Sequence, residues 1–248
     1  MDIPKGGVAF FDSGIGGLTV LAECQKYVKD TFFYYLGDNL RAPYGNLPKQ
    51  TVCSYVNEMF EKLAPLQPRA VVVACNTATA LCIERLRKQY AFPIIGAEPA
   101  VFTAAKNGGD IFVLSTRATY ESQRFQTLCG RAELLYPNAR LHLHACDRLA
   151  GEIERHLFTP EWDVAPFLPT GNPDSVVLGC THYVFLKKQI QTFYKTTIYD
   201  GNEGIAKRLR SVLLKTPEKS NDFQGQVFFL GKAKWSNKYV YEQMFGNK

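Results

Sequence analysis

The feature that most restricts this chain is a series of short apolar runs set between amphipathic segments. Nine runs read as strands: residues 7–13 (GVAFFDS), 31–38 (TFFYYLGD), 70–75 (AVVVAC), 92–98 (FPIIGAE), 110–116 (DIFVLST), 139–146 (ARLHLHAC), 175–180 (SVVLGC), 196–200 (TTIYD) and 225–231 (GQVFFLG). Several are apolar without alternation, the pattern of parallel strands covered by helices on both faces. Between them, Val52, Tyr55, Val56, Met59, Phe60 and Leu63 keep the three-to-four spacing of one helix face, and Pro48 suits a helix start. The alternation predicts an α/β fold with mainly parallel sheets. The longest irregular pieces are 39–48 and 159–174.

Two of the runs are alike. AVVVACNTA (70–78) lies over SVVLGCTHY (175–183) at an offset of 105, and VAFFDSGIG (8–16) lies over IFVLSTRAT (111–119) at an offset of 103. Similar offsets predict two related α/β units in series. In such units ligands bind beyond the carboxyl ends of the strands, where helix N-termini stabilise an anion. Cys75 and Cys180 both fall there. That position is expected to lower a thiol's pKa and make thiolate accessible. Asn76, Thr77, Thr181 and His182 follow as candidates to cap the helices or grip a ligand. If the units face each other across a cleft, the two sulfur atoms oppose one another. One thiolate then removes a proton from a carbon centre while the other group, as a thiol, protonates the opposite face. The pair shares one proton, so its titration belongs to the pair.

Composition narrows the field. Seven cysteines without a CxxC pair read as free thiols in a reducing compartment, Cys24, Cys53, Cys82, Cys129 and Cys146 among them as ordinary buried or partly exposed residues. A net charge of +6, scattered over the chain, brings no RNA-binding signature, so no nucleic acid is expected. No run approaches the ~20 apolar residues of a membrane span, and MDIPKGG lacks a signal-peptide layout, so the expectation is a cytoplasmic protein without membrane contact. GIGG after VAFFDS is a poor dinucleotide fingerprint, with Thr19 where a third Gly or Ala belongs and Asp12 where a pyrophosphate is repelled. His142, His144 and Cys146 share one strand face, but polar side chains reaching water or backbone explain them without a metal.

Four blocks, FDSGIGGLTVL (11–21), YLGDNLRAPYG (35–45), VVACNTATA (72–80) and LGCTHYVFL (178–186), together resemble the cofactor-independent glutamate racemases of bacteria, in that family's order and spacing. Weaker likeness runs through IIGAEPA (94–100). The resemblance implies interconversion of L- and D-glutamate, the latter a building block of peptidoglycan, with neither cofactor nor metal. It implies Cys75 and Cys180 as the two acid/base residues. Asp12, Ser13, Tyr44, Gly45, Asn76, Thr77, Thr119, Thr181 and His182 are implied as substrate contacts. Glu154, in CDRLAGEIE (146–154), matches an auxiliary acid near Cys180 and His182, although Gly151 and Glu152 stand where the family has Pro and Leu. The implied architecture is two similar three-layer α/β units facing each other across a cleft. The first holds residues 1–96 with 209–248, and the second holds 97–208. The family commonly forms homodimers. Two other functions compete: aspartate racemisation by the same two-thiol chemistry, and a non-catalytic relative that kept the fold. A pure binder needs neither thiol.

Overall fold

The computed structural model describes residues 3–159, 162–215 and 223–246. Each of the nine runs becomes a strand, most of them trimmed at one or both ends and the fifth starting one residue early, at Gly109. In the first stretch β1 (Val8–Asp12) leads to α1 (Gly17–Tyr27), β2 (Phe33–Gly37) to α2 (Lys49–Leu63), β3 (Ala70–Val73) to α3 (Asn76–Gln89) and β4 (Ile94–Gly96) to α4 (Val101–Ala105). In the second, β5 (Gly109–Ser115) leads to α5 (Arg117–Tyr120) and α6 (Gln123–Leu135), and β6 (Ala139–Ala145) to α7 (Leu149–His156). There β7 (Ser175–Leu178) leads through a 3-10 segment, Thr181–Leu186, to α8 (Lys187–Tyr194) and then β8 (Thr197–Tyr199). The chain closes with α9 (Asn202–Leu213), β9 (Val227–Phe229) and α10 (Lys234–Phe245). Of the irregular piece at 159–174, residues 160–161 lie outside the described residues.

Two sheets form, in the orders β4-β3-β1-β2-β9 and β6-β5-β7-β8, with every pairing parallel. The order β4-β3-β1-β2 recurs as β8-β7-β5-β6. Even the register recurs: Phe11 pairs with Val73 as Leu114 pairs with Leu178. The offsets read from the sequence therefore correspond to a repeated supersecondary unit.

Alternate residues of each strand feed opposite faces, which is why the strands read as continuously apolar. Val8 and Phe10 pack with α1, α9 and α10, while Ala9 and Phe11 pack with α2 and α3. In the second sheet Leu114 and Val176 face α7 and α8, and Val113 and Val177 face α4 and α6. The domain limit expected at 208/209 falls inside α9. That helix puts Ile205, Ala206, Leu209 and Leu213 together into the first core, so its N-terminal half packs with the first sheet.

The cysteine expectation needs a correction. Cys53 of α2 and Cys82 of α3 are disulfide-bonded, and Cys24, Cys75, Cys129, Cys146 and Cys180 are free and buried. Helices α2 and α3 lie side by side on one sheet face, which brings the two Cα atoms to 5.8 Å, a span a disulfide bridges. Spacing along the sequence carries no trace of that approach.

Candidate active site

The carboxyl ends of β1, β3, β5 and β7 deliver most of the candidate residues, while Tyr44 and Gly45 come from the segment after β2 and Glu154 from α7. Strand β3 ends at Val73, and Cys75 caps α3 two residues later, its sulfur accepting the Ala78 N–H at 3.4 Å. The Cys75 thiol donates to Ser13 Oγ at 3.4 Å, just past β1. Cys180 stands in the same place after β7. Its sulfur lies 3.9 Å from His182 Nδ1, and the other ring nitrogen of His182 is 2.7 Å from Glu154 Oε1 on α7. Asp12 accepts the Gly14 N–H at 2.8 Å and the Thr181 hydroxyl at 3.2 Å, so the end of β1 is tied to the segment after β7. Cys180 is near enough to Cys75 for its charge to act on the Cys75 thiol.

A second link between the two stretches is made of hydroxyls. Thr77, in the first turn of α3, lies 2.9 Å from Thr116 Oγ1 and 3.3 Å from Thr119 Oγ1. Thr116, which caps α5, donates to Thr119 Oγ1 at 3.0 Å. Gly45 packs against this group: a Cβ there would lie 2.7 Å from Thr116 Cβ. Thr116 was not among the sequence candidates. The repeat held the signal, since Ser13 plus the offset of 103 falls on Thr116.

Two candidates are partly committed elsewhere. The Tyr44 hydroxyl donates to Asp38, and its ring lies 6.5 Å from that of Phe11 in the core between the first sheet and α2 and α3. The Asn76 side-chain amide donates to the Ala97 carbonyl at 3.5 Å, and Asn76 lines a small cavity with Cys180 and Thr181. Glu154, despite its altered surroundings in sequence, reaches the site through His182.

The electrostatics reverse one expectation. The thiol of Cys75 is pushed up to about 12, not down. Burial is the main cause, with the Asp12 carboxylate next and Cys180 last, and these outweigh the hydrogen bonds with Ser13 and Ala78. A single capping N–H is a weak counterweight in a site where Cys75 is only 5 % exposed. Burial likewise raises Asp12, partly offset by the His182 charge and by its hydrogen bonds. For His182 burial works against the imidazolium, yet hydrogen bonds to Cys180 and Glu154 win and hold its pKa well above the ordinary value. The expectation of a regular helix after Cys180 also fails. Thr181–Leu186 is a 3-10 segment, and Cys180 makes no side-chain cap.

Among the described residues no group of three or more His, Cys, Asp or Glu side chains is arranged to hold a metal. His142 instead lies 2.8 Å from Asp110, and the His144 ring packs 4.5 Å from that of Phe112. Among the same residues no helix is long and apolar enough to cross a membrane.

Comparison with known proteins gives the family. Residues 44–209 match the family described as Asp/Glu/Hydantoin racemase. A glutamate racemase of Clostridium kluyveri is 36% identical over 237 residues, covering 89% of each chain. One from Leptospira borgpetersenii is 35% identical over 235 residues, covering 90% of this chain and 89% of its own. The crystal structure of a glutamate racemase isoform from Bacillus anthracis superposes with a TM-score of 0.81 at 29% identity, over 98% of this chain and 95% of that one. With a repeated parallel-sheet fold, a match over most of its length and relatives above a third identical, the chain belongs to the Asp/Glu/hydantoin racemase family.

Proposed function

We propose that this chain is a glutamate racemase that inverts Cα with two thiols and without a cofactor, supplying D-glutamate for peptidoglycan. The observation that carries the reading is the placement of Cys75 and Cys180 at equivalent positions of a repeated unit, close enough to interact. The relatives' names give the substrate. The same proposal includes a cytoplasmic location, as expected from the sequence, and a homodimer, carried over from the family resemblance.

In one direction Cys75, as thiolate, takes the α-proton: the Cα–H bond breaks and an S–H bond forms. The thiol of Cys180 then gives its proton to the opposite face, leaving Cys180 as thiolate. The reverse reaction exchanges the roles, and proton exchange with solvent resets the pair. Each thiol contributes about 10²–10⁴ in rate as acid or base. Ser13, Asn76, Thr77, Thr119 and Thr181 offer hydroxyls and amides to the two carboxylates, and Asp12 faces the ammonium. Glu154 and His182 hold the proton balance at Cys180. The α-proton is very weakly acidic, so positioning, hydrogen bonding and exclusion of water must supply most of the barrier reduction. The near-complete burial of Asp12, Cys75, Thr77, Cys180 and His182 fits that demand. Substrate binding then requires the Asp12–Thr181 and Thr77–Thr119 links to part.

The test is incubation of the purified protein with L-glutamate in heavy water, without additions. Loss of optical rotation with deuterium at Cα is the expected result. Failure to exchange or invert glutamate removes the reading.

A further inference from the structure

We infer that Thr116 is a positioning residue for substrate binding: it sets the direction of the Thr77 and Thr119 hydroxyls and strengthens Thr119 as the donor to a substrate carboxylate. This rests on the glutamate racemase reading for the identity of the substrate. The geometry of the three hydroxyls carries the rest.

Each threonine hydroxyl has one proton and two acceptor sites. Thr116 donates its proton to Thr119. Its contact with Thr77 is then one in which Thr77 donates, and the Thr77–Thr119 contact is one in which Thr119 donates. The three protons thus run in one sense around a ring, from Thr77 to Thr116, to Thr119, and back to Thr77. Thr116 also accepts the Thr119 N–H at 3.4 Å, so both its acceptor sites are filled. With Gly45 packed on its methyl side, it has no group left to offer a ligand.

Thr77 and Thr119 each keep one free acceptor site, but a carboxylate needs donors. One proton of the ring must therefore turn outward when substrate binds. The Thr119-to-Thr77 link is the longest of the three, at 3.3 Å against 2.9 and 3.0 Å, and is the one to yield. What remains is a chain, from Thr77 to Thr116 to Thr119 to carboxylate. In such a chain each hydroxyl is polarised by the one behind it, so the terminal donor is stronger than a lone hydroxyl. Removing Thr116 removes the donor behind Thr119 and lets both partners rotate freely. The carboxylate contact exists in the ground state as well as the transition state, so its weakening appears chiefly in KM.

The experiment compares Thr116→Val, Thr116→Cys and Thr116→Ser with the unaltered enzyme, in both directions of glutamate racemisation, with circular dichroism as the check on folding. Thr116→Val is expected to raise KM about tenfold with kcat within about threefold. Thr116→Ser, which keeps the hydroxyl and the cap, is expected to restore KM to within about twofold. Thr116→Cys keeps the size with a weak donor and shows the same KM increase, which covers a valine variant that does not fold. Unchanged KM in the valine or cysteine variant, or an equal rise in the serine variant, overturns the inference. An unaltered enzyme that leaves glutamate untouched overturns the functional reading instead.

Discussion

Thr181 donates its hydroxyl to the Asp12 carboxylate across 3.2 Å, although 169 residues separate them in the chain. Asp12 ends a strand of the first sheet and Thr181 follows a strand of the second, so this bond lies on the seam between the repeats. Beside it stands Gly16, at the start of α1. A Cβ added there would fall 2.8 Å from both the backbone nitrogen and the Nδ1 of His182. The seam is closed by backbone approaching side chains, which leaves little tolerance for added volume.

Gly16→Ala is therefore expected to damage the site while sparing the sheets. The residue has an ordinary right-handed helical backbone, so alanine is not strained by conformation, only by contact. Overpacking of this kind costs about 1–3 kcal/mol. Thermal unfolding should show a drop of that size with unchanged circular dichroism. Racemase activity should fall at least tenfold, because the displaced groups are His182 and Thr181. Normal turnover in Gly16→Ala would mean that the seam need not close for chemistry.

Cys75→Ser and Cys180→Ser are each expected to lower two-way turnover by about 10²–10⁴. Serine is close in volume, so neither core nor cap is lost, and thermal stability should stay near that of the unaltered protein. Polarimetry with deuterium incorporation measures the loss. Racemisation by either variant at the normal rate would argue that one base suffices.

The sequence and the structure agree unevenly, for physical reasons. Parallel strands buried on both faces must be apolar throughout, so runs such as 70–75 and 175–180 announce themselves. A duplicated unit leaves a fixed offset, and Phe11–Val73 and Leu114–Leu178 recover that offset as register. Cys75, Cys180, Ser13, Thr181 and His182 could be read because they follow those strands directly. The link between Glu154 and His182 joins elements whose meeting depends on how α7 crosses the sheet, and local sequence around Glu154 pointed away from it. The elevated Cys75 pKa was illegible for a similar reason. Helix position is local, but burial depends on how distant segments, Phe11 and Tyr44 among them, pack around the thiol. The Cys53–Cys82 bond likewise depends on the packing of α2 against α3.

Glu154→Gln should lower the pKa of His182. Burial opposes the imidazolium, and the bonds to Cys180 and Glu154 are what raise it above the ordinary 6.5. A group whose folded pKa is raised contributes stability below its unfolded pKa and loses it as pH climbs through the folded value. The unaltered protein should thus lose this contribution only well above pH 6.5, and the variant should lose it at lower pH. Imidazole resonances followed through a pH series, with unfolding midpoints across the same range, give the measurement. A titration of His182 that does not move would show that Cys180 alone sustains it.

Asp12→Asn should shift Cys75 in the opposite sense to burial. The Asp12 carboxylate is the second cause, after burial, of a Cys75 pKa near 12, and asparagine removes its charge while keeping an acceptor for the Gly14 N–H, with its amide nitrogen facing the Thr181 hydroxyl in place of the second oxygen. Cys75 should then titrate lower, though still above an ordinary thiol, because burial remains. Alkylation rate against pH reports the thiolate, and the difference from a Cys75→Ser control isolates this cysteine from the other buried thiols. The rising limb of the pH–rate profile should move to lower pH with it. If the Cys75 titration stays in place while the Asp12 charge is gone, the carboxylate is protonated in the native site and acts on the thiol only through its hydrogen bonds.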